Sequence, residues 1–285
     1  MRRMQASNGL DKKFFAMFKL QQVCRWFGPL ALLTALFAAP AAAEQQTFAP
    51  GSAVTIAIED EYYPFSYKSD RDDPNSERLG FDAGFAKLLC HEMDWQCTLS
   101  PLPFAEIIPA VQSGKADLAV AGLTPSPERE QTLAFTRSYY RSRSIFIGRS
   151  GQQAEPLSPE VSGLKIGTQS GSAQAAALKN FYSGHNEIVL YANYADLFSE
   201  LSAGRLDVIL VDGLAGYHYL KSELGSTLEL LGMFSEQPMP MDDSCVVLSK
   251  EHAAALPLLN AAISKLLISA EYELLSLEYF PFINY

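Results

Sequence analysis

The chain has 285 residues, is 48% hydrophobic and carries 32 acidic against 22 basic side chains, a formal net charge of −10. That length and apolar content suffice for one large or two small domains with real cores, and the negative balance makes nucleic acid and anionic membrane surfaces poor partners. Scattered cysteines and four histidines without ligand spacing argue against a zinc site, and no metal or cofactor is expected.

Residues 1–43 stand apart from the rest. Lys12, Lys13, Lys19 and Arg25 precede an apolar run over 27–39, and Ala41, Ala42 and Ala43 supply the small residues of a cleavage site. The run is short for a membrane span and no stop-transfer charges follow it, so it reads as a secretory signal cut near Ala43. Removing it takes away six basic residues and one acid and leaves a mature chain of about −15 with its histidines neutral. Such a signal predicts export to an oxidising compartment such as the periplasm. In that oxidising compartment a disulfide is the first choice for Cys90 and Cys97, close enough to close a small loop, whereas Cys245, in an apolar stretch, reads as a buried inert thiol.

In chain order, residues 54–58 alternate and are β-branched, which predicts a first strand ending in an acidic, tyrosine-rich turn, Glu59 to Phe65. Residues 68–78 are charged and predict an exposed loop or hairpin. Asp82 is placed to cap a helix with Phe85, Leu88 and Leu89 on one face. A strand over 98–102 and a helix over 104–112, with Ile107, Ile108 and Val111 inward, follow. The apolar strand 118–123 then runs into a turn in which Thr124 and Ser126 offer oxygens, Pro125 and Pro127 fix the backbone, and Arg129 opens what comes next. Such a turn can present a guanidinium fork and free amides to a carboxylate.

Residues 132–135 and 144–148 read as strands with Tyr139, Tyr140 and Arg141 between them, and 152–159 as loop. A new unit starts with a strand at 164–168, a turn at Gln169 to Ser172 and a helix at 173–179. It continues with a strand at 187–191, a helix at 196–203, a strand at 206–211 and a helix at 213–221. A proline- and methionine-rich stretch over 235–241 precedes a strand at 245–248 and a helical region over 256–280 broken near Ser269. An internal echo ties the two halves together: Ser113-Gly-Lys-Ala-Asp117 is matched by Ala203-Gly-Arg-Leu-Asp207, each a helix ending at glycine before a strand. Asp212 then leaves the second strand where Gly122 and Thr124 leave the first, so that an arginine from one half can face a carboxylate from the other. Strands alternating with helices point to two doubly wound α/β lobes.

The segments 62–65, 80–82, 108–117, 124–129, 169–172 and 204–207, followed by Asp212, occur in the order seen in the bacterial extracellular solute-binding proteins of polar amino-acid uptake, family 3. The whole mature chain resembles that family, which includes the histidine- and the lysine–arginine–ornithine-binding proteins. The resemblance implies a type II periplasmic binding protein architecture, with lobe one from residues 52–142 and 243–285, lobe two from 143–242, and a two-strand hinge that closes on a ligand. It also implies roles. Arg129 matches the arginine that grips the ligand carboxylate, with Thr124 and amides near Gly122 and Ser172, and Asp212 matches the carboxylate that receives the ammonium. Tyr62 and Phe104 match the side chains that sandwich the ligand, Gln169 and Ser170 lie on the second-lobe turn, and Glu59 stands where relatives that bind cationic amino acids carry an aspartate. The Cys90 and Cys97 spacing resembles the small disulfide loop of the histidine-binding relative.

The expected partners are an amino acid and an ABC permease of the inner membrane, with the protein a monomer and not an enzyme. Each assignment has a plainer rival: Tyr62 and Phe104 as core packing, Asp117 and Asp207 as structural groups at the glycine turns, and Glu59, Asp60 and Glu61 as a solvated acidic turn. Two other functions fit the same architecture. A periplasmic cyclohexadienyl dehydratase would use Glu59, Glu61 or Asp212 as a general acid, and a sensory module would report the ligand to a membrane partner.

Overall fold

A computed structural model describes residues 48–73, 75–151, 158–235 and 242–282. The predicted secretory signal over residues 1–43, most of the loop at 152–159 and most of the proline- and methionine-rich stretch lie outside the described residues. Among those described, no single helix is long and apolar enough to cross a membrane.

In chain order the strands and α-helices are β1 (Ala53–Glu59), β2 (Tyr67–Lys68), β3 (Arg78–Leu79), α1 (Phe81–Glu92), β4 (Gln96–Leu102), α2 (Phe104–Gln112), β5 (Leu118–Leu123), β6 (Leu133–Ser142), β7 (Ser144–Arg149), β8 (Lys165–Gln169), α3 (Ala173–Phe181), β9 (Glu187–Tyr191), α4 (Tyr194–Ser202), β10 (Val208–Asp212), α5 (Gly213–Lys221), β11 (Leu228–Met233), β12 (Asp242–Ser249), α6 (Leu256–Leu266) and α7 (Ala270–Tyr279). They form two five-stranded sheets, ordered β4-β1-β5-β12-β6 and β11-β7-β10-β8-β9, with β2 and β3 as a small hairpin. In the first sheet β1 runs parallel to β4 and β5 while β12 is antiparallel to β5 and β6. In the second, β8 runs parallel to β9 and β10 while β7 is antiparallel to β10 and β11. The chain passes between sheets twice, directly from β6 to β7 and again between β11 and β12. The fold is therefore two α/β lobes of the periplasmic-binding-protein kind.

Central strands of the first sheet are apolar on both faces because both are covered. Ile56, Leu118, Val120 and Leu248 belong to the core shared with α1, α6 and α7, whereas Ala57, Ala119, Ala121 and Val247 meet Ile107 and Val111 of α2 on the other side. The C-terminal segment thus returns to the first sheet, contributing β12 between β5 and β6 and α7 as a cover beside α1.

The repeated glycine and aspartate have a common physical cause. Gly114 and Gly204 adopt φ +71 and +74, the left-handed region that ends a helix without a Cβ penalty. Three residues on, Asp117 Oδ2 accepts from the Thr55 amide at 2.7 Å and Asp207 Oδ2 from the Lys165 amide at 2.8 Å. Each aspartate also donates its own amide to the carbonyl of that same residue, both at 2.9 Å. The pair clamps each strand to its parallel neighbour, so both residues are structural.

The disulfide forms between Cys90 of α1 and Cys97 of β4 with a Cα separation of 6.1 Å, and Cys245 is a buried free cysteine. Burial pushes the Cys245 thiol up to about 12, with Asp243 adding to the shift.

Three local expectations are corrected. Asp82 does not cap α1: Gly80 holds the cap position without a side-chain bond, while Pro64 and Phe65 carbonyls accept the first amides of the helix. Tyr139, Tyr140 and Arg141 are not a connection between strands but part of the ten-residue β6, both tyrosines being buried. Glu59 is not part of a solvated turn, since it is the last residue of β1 and is 2% exposed.

Candidate functional site

The parallel strands of both sheets end at one crevice, the location in which open α/β sheets place ligands. From the first lobe, β5 ends at Leu123 and residues 124–128 turn into a three-residue 3-10 helix, Arg129–Gln131. No α-helix starts there, so the turn acts through its side chains and single amides. Half-buried Arg129 donates from Nη1 to the Thr124 carbonyl at 2.8 Å and from Nη2 to the Gly171 carbonyl of the second lobe at 3.0 Å. Burial lowers its pKa, with Glu128 opposing, and the guanidinium remains a cation.

The second lobe brings two turns. Gln169 ends β8, and Ser172 caps α3 by accepting from the Ala175 amide. Asp212 ends β10 and caps α5, its Oδ1 accepting from the amides of Leu214 at 2.9 Å and Ala215 at 3.0 Å. The Asp212 amide donates to the Tyr194 hydroxyl at 3.1 Å.

Across the crevice Gln169 Nε2 donates to Glu59 Oε1, and the Tyr62 ring sits 4.7 Å from Phe65 and 5.0 Å from Tyr194 of the opposite lobe. Phe104 opens α2 beside the Gly171 turn, where a Cβ on Gly171 would lie 3.4 Å from Ala105 Cα and 3.9 Å from the Phe104 ring.

These elements enclose a cavity of about 20 Å³, room for a water molecule or two and smaller than an amino acid. It opens toward a groove of about 1040 Å³ between the lobes that shares Thr124, Arg129, Ser172 and Ala173 with it. Of the residues singled out in the sequence, Tyr62, Phe104, Gly122, Thr124, Arg129, Gln169, Ser172 and Asp212 line the cavity. Ser170 does not line it, and its amide is bonded to the Tyr191 carbonyl at the sheet edge. Glu59 lies behind Gln169.

Sequence reasoning missed Tyr194, Gln174 and Ser244, which also line the space. A signal for Tyr194 was present: Asn193, which caps α4 by accepting from the Asp196 amide, sits three residues before the predicted helix start and would have placed Tyr194 in its first turn.

The electrostatics of the crevice are dominated by buried acids and phenols. Burial raises the Glu59 carboxyl well above the usual range despite the Gln169 bond, and Asp82 and Asp60 add to the shift. Burial likewise pushes Asp82 up to about 8 against the hydrogen bond from Tyr139, with Asp212 contributing. Glu59 Oε2 and Asp82 Oδ2 are buried without a hydrogen-bond partner. Asp60 is paired with Arg78 and does not act as a free charge at the cleft mouth. Tyr62, Tyr140 and Tyr194 are held neutral, their hydroxyl pKa values raised first by burial and then by Asp212 or Asp82.

One guanidinium and one carboxylate, set on opposite lobes around a single space, suit a zwitterion, because each buried ionic end needs an opposite charge. Among the described residues no group of three His, Cys, Asp or Glu could hold a metal ion.

The sequence pattern of the bacterial extracellular solute-binding proteins, family 3, matches residues 54–282. The lysine/arginine/ornithine-binding periplasmic protein of Escherichia coli K12 is 29% identical over 232 residues, covering 80% of this chain and 88% of that protein. The L-arginine-binding protein of Pseudomonas aeruginosa is 29% identical over 256 residues, 89% of this chain and 96% of that protein. Among solved structures, an arginine-bound amino-acid ABC transporter substrate-binding protein from Streptococcus pneumoniae superposes with a TM-score of 0.72 at 25% identity, covering 80% of this chain and 94% of that one. All three are binding proteins.

Proposed function

The chain belongs to the bacterial extracellular solute-binding proteins, family 3, and we propose that it captures an amino acid with a basic or polar side chain between its lobes and delivers it to an ABC importer of the inner membrane. The observation that carries this reading is the placement of Arg129 and Asp212, from opposite lobes, around one cavity. Arg129 takes the ligand carboxylate, helped by Thr124 and by amides near Gly122 and Ser172. Asp212 takes the ammonium with its buried carboxylate. Tyr62 and Phe104 cover the ligand from the first lobe, while Gln169, with Ser170 behind it, closes the second.

Glu59 sets the preference for a basic side chain: parting of the lobes breaks its bond to Gln169, which crosses the crevice, and opens the carboxyl to a ligand cation. Its Oε2 is buried and unpartnered, a costly arrangement that a ligand cation would relieve. The names of the relatives, which bind arginine, lysine and ornithine, point the same way. The lobes comprise residues 52–142 with 243–285, and 143–242, and they part and close about the two crossings to admit a ligand larger than the present cavity. The protein works as a periplasmic monomer.

The test is a thermal-shift screen of the twenty amino acids and ornithine on the mature protein. A cleft-closing ligand at a hundred times its Kd adds about 2.7 kcal/mol to stability and raises the midpoint by several degrees. Arginine, lysine or ornithine should give the largest shifts. A response to glutamate or aspartate alone would overturn the assignment of Glu59, and no response to any amino acid would overturn the reading itself.

A further inference from the structure

Asp82 is 0% exposed, does not line the cavity and plays no part in the ligand clamp, yet one chain of hydrogen bonds joins it to the cavity wall. Its Oδ1 accepts from the Tyr139 hydroxyl at 2.7 Å, and that hydroxyl in turn accepts from the Gly122 amide at 3.2 Å. A backbone amide can only donate, so the phenol oxygen accepts from Gly122, and its single proton is given to Asp82.

The Tyr139 ring has little freedom to do otherwise, being stacked on Phe85 at 4.3 Å and edge-on to Tyr140 at 5.0 Å. Gly122 lines the cavity at φ +60, and a Cβ there would lie 2.7 Å from the Tyr140 hydroxyl. Consecutive tyrosines of β6 therefore hold one residue of the cavity wall, Tyr139 by its amide and Tyr140 by contact over its Cα. Asp82 Oδ2, buried and unpartnered, marks the carboxyl as a group retained at a cost.

We propose that Asp82 is a positioning residue of the ligand site, acting through Tyr139 to hold the Gly122 backbone where it meets the part common to all amino-acid ligands. The inference rests on the proposed ligand reading of the cavity. It differs from the role of Glu59 in one consequence: loss of Asp82 weakens every ligand by the same factor, whereas loss of Glu59 discriminates by side chain.

The test uses the mature protein labelled with 15N-glycine, with L-arginine and L-histidine as probes. Asp82→Ala and Tyr139→Phe should each shift the Gly122 amide resonance and speed its hydrogen exchange about tenfold or more, the loss expected for one buried hydrogen bond. Each should weaken both ligands by a similar factor of about ten. The double variant should bind no more weakly than the poorer single one, and Asp82→Asn, which keeps an acceptor for Tyr139, should return affinity to within about threefold of the parent. Should Asp82→Ala fail to fold, Tyr139→Phe and Asp82→Asn carry the test. An unmoved Gly122 amide, additive losses in the double variant, or no rescue by asparagine would overturn the proposal. A parent protein that binds neither probe would instead overturn the assignment of a basic ligand, and the Gly122 amide would still decide whether Asp82 and Tyr139 hold that backbone.

Discussion

Replacing Arg129 tests the carboxylate clamp most directly. In the folded chain its two terminal nitrogens reach main-chain carbonyls at 2.8 and 3.0 Å, one from each lobe, so the guanidinium is already oriented at the cavity edge. Arg129→Ala leaves a ligand carboxylate buried without its cation, a loss of about 3–5 kcal/mol, which is roughly two hundred- to several thousand-fold in Kd. Arg129→Lys keeps the charge and loses the planar fork, and should weaken binding by about ten- to a hundredfold. Neither change should unfold the protein, because Arg129 is half-buried on a turn and packs in no core cluster. Titration calorimetry with L-arginine, alongside far-UV circular dichroism of each variant, reads both quantities. An alanine variant that keeps its spectrum and binds within about fivefold of the parent would refute the clamp, and an alanine and a lysine variant of equal affinity would refute the fork.

Three further predictions follow from buried groups. Glu59→Gln should weaken arginine, lysine and ornithine by about thirtyfold, as expected for a charge-assisted hydrogen bond, and change glutamine by less than about threefold; equal losses for both classes by calorimetry would place Glu59 away from the ligand side chain. Asp82 carries a raised carboxyl, about 8 against an ordinary 3.8, so its contribution to stability is full below pH 4, declines as the unfolded chain ionises and the folded one does not, and levels off above pH 8. Asp82→Asn removes that decline, so its denaturation midpoint should gain on the parent steadily from pH 5 to pH 8, and parallel curves would mean that Asp82 ionises freely in the fold. Reduction of Cys90–Cys97, which closes a loop with a sequence separation of 7, should cost at most about 2–3 kcal/mol, while Cys245 should resist thiol reagents until the protein unfolds; a bridge to Cys245 in non-reducing peptide mass spectrometry would contradict this pairing.

Much of the architecture was legible in the chain because it is governed by short-range rules. Alternating and continuous apolar runs marked β1 and β5, the 3.6-residue period marked α2, and the glycine–aspartate echo marked matched β-strand entries whose carboxylates clamp neighbouring strand amides. The same echo puts Gly122 and Asp212 at equivalent strand exits, and both line the cavity.

The state of each acid was not legible, because it depends on what lies opposite in space. Asp82 has the sequence position of a helix cap, but Pro64 and Phe65 carbonyls already take the first amides of α1, and its carboxyl turns inward to Tyr139. Glu59, Asp60 and Glu61 read as one acidic turn, yet they divide into a buried carboxyl facing Gln169, an ion pair with Arg78 and an exposed side chain. Gln169 is 110 residues away from Glu59, and no periodicity carries information over that distance. Local sequence settled which face each strand and helix buries; only the packing of one lobe against the other decided which charges were buried with it, because the cost of burying a charge is set by the partner that tertiary structure provides.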